Sequence, residues 1–199
     1  MDLISYITNS IKLYGFSEEA YKYINKKVDW VEAYLVHIVL SALYLSINIM
    51  VNKFYLLPNS ILLVGGGIFG IVIGPFIFGG ILHLFFKLVG GKANYTKFLK
   101  YFLSINVLGL FISMVYSFIP SAQVTEFYST LSPMAIITLI LSLIMFVYWI
   151  VVAVKTFSKL HEISNFRAFL AVFVLPIVAY IILIIILTIF IVLAMTVAM

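Results

Sequence analysis

Eleven of the twelve lysine and arginine residues lie in, or at the edges of, alternate segments separated by five long apolar stretches, and this alternation constrains the chain more than any other feature. The stretches cover residues 30–52, 61–89, 98–119, 134–153 and 168–197. Ahead of the first come Lys12, Lys22, Lys26 and Lys27; the gap after it holds only Lys53. Lys87, Lys92, Lys97 and Lys100 flank the next gap, the one after it has no cation, and Lys155, Lys159 and Arg167 occupy the last. Apolar runs of about 18 or more residues cross roughly 30 Å of hydrocarbon as helices. Loops rich in Lys and Arg stay on the cytoplasmic side. The expectation is an all-α bundle of five transmembrane helices, with the N-terminus cytoplasmic and the C-terminus outside. Residues 1–29 would form a cytoplasmic amphipathic segment and residues 30–199 the membrane domain.

Composition agrees with this reading and narrows the function. The 199 residues are 65% hydrophobic and 10% charged, with a mean hydropathy of +1.23. The net charge of +5 is spread over short segments suited to anionic headgroups, where each cation gains about 1 kcal/mol, and it does not point to nucleic acid. The absence of cysteine excludes disulfides, thiolate metal sites and cysteine nucleophiles. No basic leader with a cleavage site precedes the first span.

Local signals set expectations along the chain. Asp2 and Ser17 read as helix N-caps in the amphipathic segment, with Gly15 ending the first of its two helices. That segment is expected either to lie in the headgroup plane or to pack on the loops of the bundle. The second span carries Gly66, Gly70 and Gly74 at four-residue spacing, then Pro75, Gly79 and Gly80. Small residues in a stripe let backbones approach closely, within the chain or between copies in a homo-oligomer. Pro75 should kink the helix. The readings open for this span are a crowded central helix and a hinge or backbone-lined cavity. Gly90-Gly91 reads as a tight turn, with Asn94, Tyr95 or Thr96 capping the next helix. Pro58 and Asn59 read as a turn, Pro120 as a helix end, and residues 124–131 as a short surface helix. Residues 156–167 read as a loop on the basic side.

No hydrolase, phosphate-loop or metalloprotease pattern occurs. No carboxylate falls well inside a span, which argues against transport coupled through carboxylates. Asn48 and Asn106 enter the apolar stretches and should find hydrogen bonds across helices. His83 and His161, with Glu162, are the candidate metal ligands. No two ligands sit at close spacing on one helix, so no metal or other cofactor is expected.

The run Gly79-Gly80-Ile81-Leu82-His83-Leu84, then Lys87 and Gly90-Gly91, resembles a pattern of the Yip domain family, the Ypt/Rab-interacting five-helix membrane proteins. So do Lys159-Leu160-His161-Glu162-Ile163-Ser164, Arg167-Ala168 and Leu175-Pro176, in that order. The resemblance spans roughly residues 30–190. It implies a non-enzymatic scaffold or adaptor of membrane organisation or trafficking. The family's eukaryotic members contact prenylated small GTPases through long cytosolic N-termini. The long polar N-terminal domain and its acidic Asp-Leu-Tyr-Gly-Pro type of motif have no counterpart here, so GTPase binding is not carried over. The chain looks more like short prokaryotic members, in a cell membrane. The expected working surface is the basic inner face, with Lys87, Lys92, Lys97, Lys100, Lys155, Lys159 and Arg167 meeting anionic headgroups or a cytosolic protein. The competing expectation is a small permease, channel or lipid-moving protein with a groove lined by the glycine-rich helix.

Overall fold

The computed structural model describes residues 1–51, 60–117 and 133–197, and the described residues form helices and short connections without a strand. The Pro58-Asn59 turn, Pro120, the helix expected at 124–131 and the Lys53 side chain lie outside them. A short hairpin leads the chain: α1 (Leu3–Lys12), a 3-10 turn (Leu13–Gly15) and α2 (Glu18–Lys27). Then come α3 (Trp30–Val51), α4 (Ser60–Leu88), α5 (Tyr95–Ser117) and α6 (Pro133–His161). The last stretch is one continuous run of α7 (Asn165–Phe169), a π-helical turn (Leu170–Val174) and α8 (Leu175–Val197). Five helical segments are long and apolar enough to cross a membrane: Trp30–Val51, Val64–Leu88, Tyr95–Val115, Leu139–His161 and Asn165–Met195.

Caps explain several of the boundaries. The Asp2 carboxylate accepts from the Ile4 and Ser5 amides, and Ser17 Oγ accepts from the Ala20 amide. Asp29 and Glu32 form a reciprocal box at the start of α3: Glu32 accepts from the Asp29 amide at 3.1 Å while Asp29 faces the Val31 amide at 3.4 Å. Of the three capping candidates ahead of α5, Asn94 does the work, its Oδ1 accepting from the Lys97 amide at 2.9 Å. One expected boundary holds and one moves. The first helical run ends at Gly15 through a 3-10 turn, with left-handed Phe16 (φ 56°) capping it; the Phe16 ring meets Tyr148 at 6.5 Å and the Lys155 ammonium at 4.0 Å. The expected loop over 156–167 is mostly helix, since α6 continues through Lys155 and Lys159 to His161. The apolar run ends where a helix leaves hydrocarbon, which need not be where the helix ends.

Within the bundle α5 is central. It packs against α1, α2, α3, α4 and α6, and Phe98, Leu99, Tyr101, Leu103, Ile105 and Val107 are fully buried. Asn48 of α3 donates to Ser117 Oγ of α5 at 3.3 Å, the interhelical hydrogen bond that a buried amide needs. By contrast residues 177–191 of α8 are exposed in the isolated chain, as suits a helix whose solvent is lipid.

The glycines of α4 divide into two sets. A Cβ at Gly67 would meet Leu45 at 3.0 Å, at Gly79 it would meet Leu99 at 3.3 Å, and at Gly80 the Tyr95 hydroxyl at 3.9 Å. Gly66 and Gly70 have nothing within 4 Å of that position, and Gly74 has only Phe78 of its own helix. Close packing inside this chain therefore uses the Gly67–Pro75–Gly79 side; of the Gly66-Gly70-Gly74 stripe, Gly66 and Gly70 are exposed and meet no other described helix, whereas Gly74 is buried. Around Pro75 the backbone of α4 receives two tyrosines: Tyr34 of α3 donates to the Val72 carbonyl at 2.6 Å and Tyr95 of α5 to the Phe76 carbonyl at 3.0 Å. Proline removes a donor from its helix, and hydroxyls from both flanking helices bind carbonyls beside that break.

Candidate functional site

The two segments that carry the family-like motifs meet at one end of the bundle. Helix α4 closes with Gly90 in the left-handed region (φ 90°), the Gly91 amide donating to the Phe86 carbonyl at 2.8 Å and the Gly90 amide to Lys87 at 3.0 Å. That is a Schellman end, and only glycine adopts its left-handed residue without strain. Helix α6 ends the same way, with Glu162 left-handed (φ 54°) and the Ile163 amide donating to the Ser158 carbonyl at 3.0 Å. The Lys92 amide then donates to the His161 carbonyl at 3.1 Å, latching one helix end to the other. Lys87 Nζ donates to the Lys92 carbonyl at 3.3 Å, and Lys92 Nζ pairs with Glu162 at 3.0 Å. Two helix C-termini, each the negative end of a dipole, are thus gathered among cations.

Beneath the latch lies an aromatic core. His161 is fully buried and stacks on Phe86 at 4.6 Å with the rings 5° from parallel; His83 lies 5.5 Å from it. Phe98 sits 4.7 Å from Phe157 and 5.2 Å from His83. Gly91 is pressed against this core: a Cβ there would fall 2.5 Å from His161 Nδ1 and 2.7 Å from the Phe86 carbonyl oxygen. The third metal candidate stands apart. The Glu162 side chain is two-thirds exposed and turned to Lys92, and among the described residues no group of three His, Asp or Glu could hold a metal ion. What the arrangement offers is a pair of imidazoles in an aromatic setting, locked to two helix ends.

The N-terminal hairpin joins the same end. Lys100 Nζ donates to the Asn25 and Val28 carbonyls at 2.8 and 3.1 Å, closing the C-terminus of α2. Tyr101 donates to the Tyr21 carbonyl, Tyr14 to the Ile105 carbonyl at 2.8 Å and Tyr148 to the Tyr14 carbonyl. Ser104 Oγ, which donates to the Lys100 carbonyl, meets the Tyr6 hydroxyl at 3.1 Å. Burial pushes the Tyr6 hydroxyl up to about 12 and raises Tyr14 as well, so both remain protonated. The hairpin packs on the helices α5 and α6 rather than on the loops of the bundle. Its tyrosines face inward, whereas Leu3, Ile4 and Ile11 of α1 are exposed. That apolar outer face matches a helix lying against lipid.

Lys159 binds Glu18 at the start of α2 and sits 4.3 Å over the Tyr21 ring. That ammonium holds the Glu18 carboxyl below its ordinary value. A depressed carboxylate stabilises the folded state above its unfolded value and loses that contribution as pH falls through the folded one. Acidification below about 4.5 is therefore expected to loosen α2, read as faster amide exchange at residues 18–27. Glu18→Gln should remove that pH dependence; the same acid response in the variant would contradict the assignment.

Of the remaining basic candidates, Lys97 follows the Asn94 cap one turn before Lys100. Lys155 stands exposed over Phe16, and the exposed Arg167 guanidinium borders Gly90. The docking tyrosines were not singled out by sequence reasoning, although Tyr6, Ser10 and Tyr14 lie at helical spacing on one face. No curated protein and no solved structure matches the chain. The model of the Yip1 domain does match, over residues 16–196, which takes in α2 and all five spans. With five membrane-spanning helices and its motif segments joined at one end, the chain is a multi-pass integral membrane protein and belongs to the Yip1 domain family.

Proposed function

We propose that this protein is a non-enzymatic membrane scaffold of the Yip type in a cell membrane, and that its basic end is the working surface, facing the cytoplasm and anionic headgroups. The observation that carries this reading is convergence. Cations far apart in sequence, in the hairpin, at Lys87–Lys100 and at Lys155–Arg167, are tied to one end by Lys100, Lys159 and Lys92. The exposed apolar face of α1 lies beside them. Lys92, Lys100 and Lys159 brace the structure. The cations left for lipid include Lys22, Lys26, Lys27, Lys87, Lys97, Lys155 and Arg167, six of them exposed and Lys97 half-buried.

The test is lipid enrichment. The protein extracted in polymer nanodiscs should carry anionic phospholipid above its share of the membrane. At about 1 kcal/mol per cation near a charged surface, replacing Lys87, Lys97 and Arg167 together by Gln should cut that excess at least several-fold. Equal enrichment in the variant and the parent would refute a lipid-facing basic end.

A further inference from the structure

Lys155 lines two cavities. One, of about 170 Å³, lies between the hairpin and α6 and carries charged groups in its wall, Glu18 and Lys159 beside Lys155, together with Phe16 and Ser17. The other, of about 390 Å³, is apolar and lies between α6 and the α7–π segment; Val147, Val151, Phe169 and Phe173 form its walls. From Lys155 back to Val147 is a little over two turns of α6, roughly 12 Å along the axis. The first cavity sits beside the basic end and the second runs from it along membrane-spanning helix.

We propose that this pair of cavities is a slot for a single anionic phospholipid, the phosphate resting at Lys155 and one acyl chain lying along the groove. The proposal deepens the reading of the basic end as lipid-facing and rests on it. Four observations favour this occupant. The smaller cavity holds Lys155, Lys159 and Glu18, one net positive charge, which a phospholipid with one net negative charge neutralises and a zwitterionic one does not. The Lys155 ammonium meets an aromatic ring but no carboxylate among the described residues. The groove is apolar except at its mouth, where Lys155 and Asn165 stand, so charge and hydrocarbon are segregated as in a lipid. Its volume also falls within the range of about 300–1,000 Å³ seen for ligand pockets.

The π turn gives the groove its wall. Pro176 cannot donate, and its ring crowds the carbonyl four residues earlier. Just before it the helix widens, the Leu175 amide donating to the Leu170 carbonyl. π turns inside helices often occur at functional sites. Here the widened turn starts just after Phe169 and includes Phe173, and the two rings stack at 5.4 Å.

The experiment uses the full chain in detergent, stripped of lipid and titrated with phosphatidylglycerol, with bound lipid counted by native mass spectrometry. One tightly retained lipid per chain is expected, with phosphatidylcholine bound at least tenfold more weakly. Lys155→Met, which keeps the stem and removes the charge, should weaken phosphatidylglycerol about tenfold, the scale of one charged hydrogen bond. Val151→Trp should weaken it similarly by filling the groove; Val151 is 39% exposed, so the larger ring need not disturb the core. Inorganic phosphate should not displace the lipid. Full retention in both variants, equal binding of phosphatidylcholine, or displacement by phosphate would each overturn the slot. The Lys87, Lys97 and Arg167 triple variant should keep this one lipid. Retention there alongside unchanged nanodisc enrichment would sink the broader surface and leave the slot standing; enrichment that falls while both slot variants retain the lipid would do the reverse.

Discussion

Phe98→Ala is expected to cost about 3–5 kcal/mol of stability, the range for truncating a fully buried aromatic. Phe98 lies within 6.0 Å, ring to ring, of His83, Phe86, Phe102, Phe157 and His161, from three helices. Removing it opens a hole where α4, α5 and α6 meet, beside Lys97 and Lys100. The neighbouring rings belong to helix ends held by the Lys92–His161 latch, so they have little freedom to collapse inward. Leu84→Ala is the control: Leu84 is 56% exposed on α4, and exposed substitutions stay within about 0.5 kcal/mol. Unfolding of the purified protein in detergent should separate the two variants widely. If Phe98→Ala cost no more than Leu84→Ala, the aromatic cluster would not hold this end together.

Gly91→Ala should be nearly as damaging, at about 3 kcal/mol, the upper end of the usual cost of overpacking. The added methyl would lie 2.5 Å from His161 Nδ1 and 2.7 Å from the Phe86 carbonyl oxygen. The second neighbour is backbone inside the Schellman end, and the first is a stacked ring in a filled core. Gly70→Ala, inside α4, is the comparison. Nothing lies within 4 Å of a Cβ there, and alanine is the better helix former by roughly 0.5–1 kcal/mol. Thermal unfolding should therefore shift in opposite directions for the two substitutions. A Gly91→Ala chain as stable as the parent would show that the latch yields.

Much of the fold was legible because spans, caps and turn glycines are local. A run of twenty apolar residues is decided by its own side chains, and Asp2, Ser17 and Asn94 cap helices with bonds to amides two or three residues away. Gly90-Gly91 was readable as a turn for the same reason. Phe16 was not, since the partners its ring meets, Tyr148 and Lys155, are more than a hundred residues away. The continuation of α6 past residue 153 was hidden because hydropathy reports the membrane and not the helix. The glycine stripe illustrates a further limit. Spacing identifies which residues share a face, but the neighbours that face meets are set by tertiary packing, which chose Gly67 and Gly79 over Gly66 and Gly70.

At the candidate site the residue types were legible and their pairing was not. His83 and His161 stood out as rare polar residues near span ends, yet they are 78 positions apart, and no local rule places their rings 5.5 Å from each other. The seven basic candidates read as one exposed surface. Three of them are structural ties: Lys100 to α2, Lys159 to Glu18 and Lys92 to Glu162. A cation's role follows from which acceptors lie within reach of its stem, and these came from distant segments.

The central claim is that the hairpin and both motif loops share one side of the membrane, the cytoplasmic side, and that the gap after the first span faces the other. Because the chain has no cysteine, single cysteines report on this directly. In intact cells a membrane-impermeant maleimide should label Lys53→Cys, and should reach Lys22→Cys, Glu162→Cys and Lys92→Cys only after permeabilisation. Labelling of Lys53→Cys and Lys92→Cys from the same side would contradict the account.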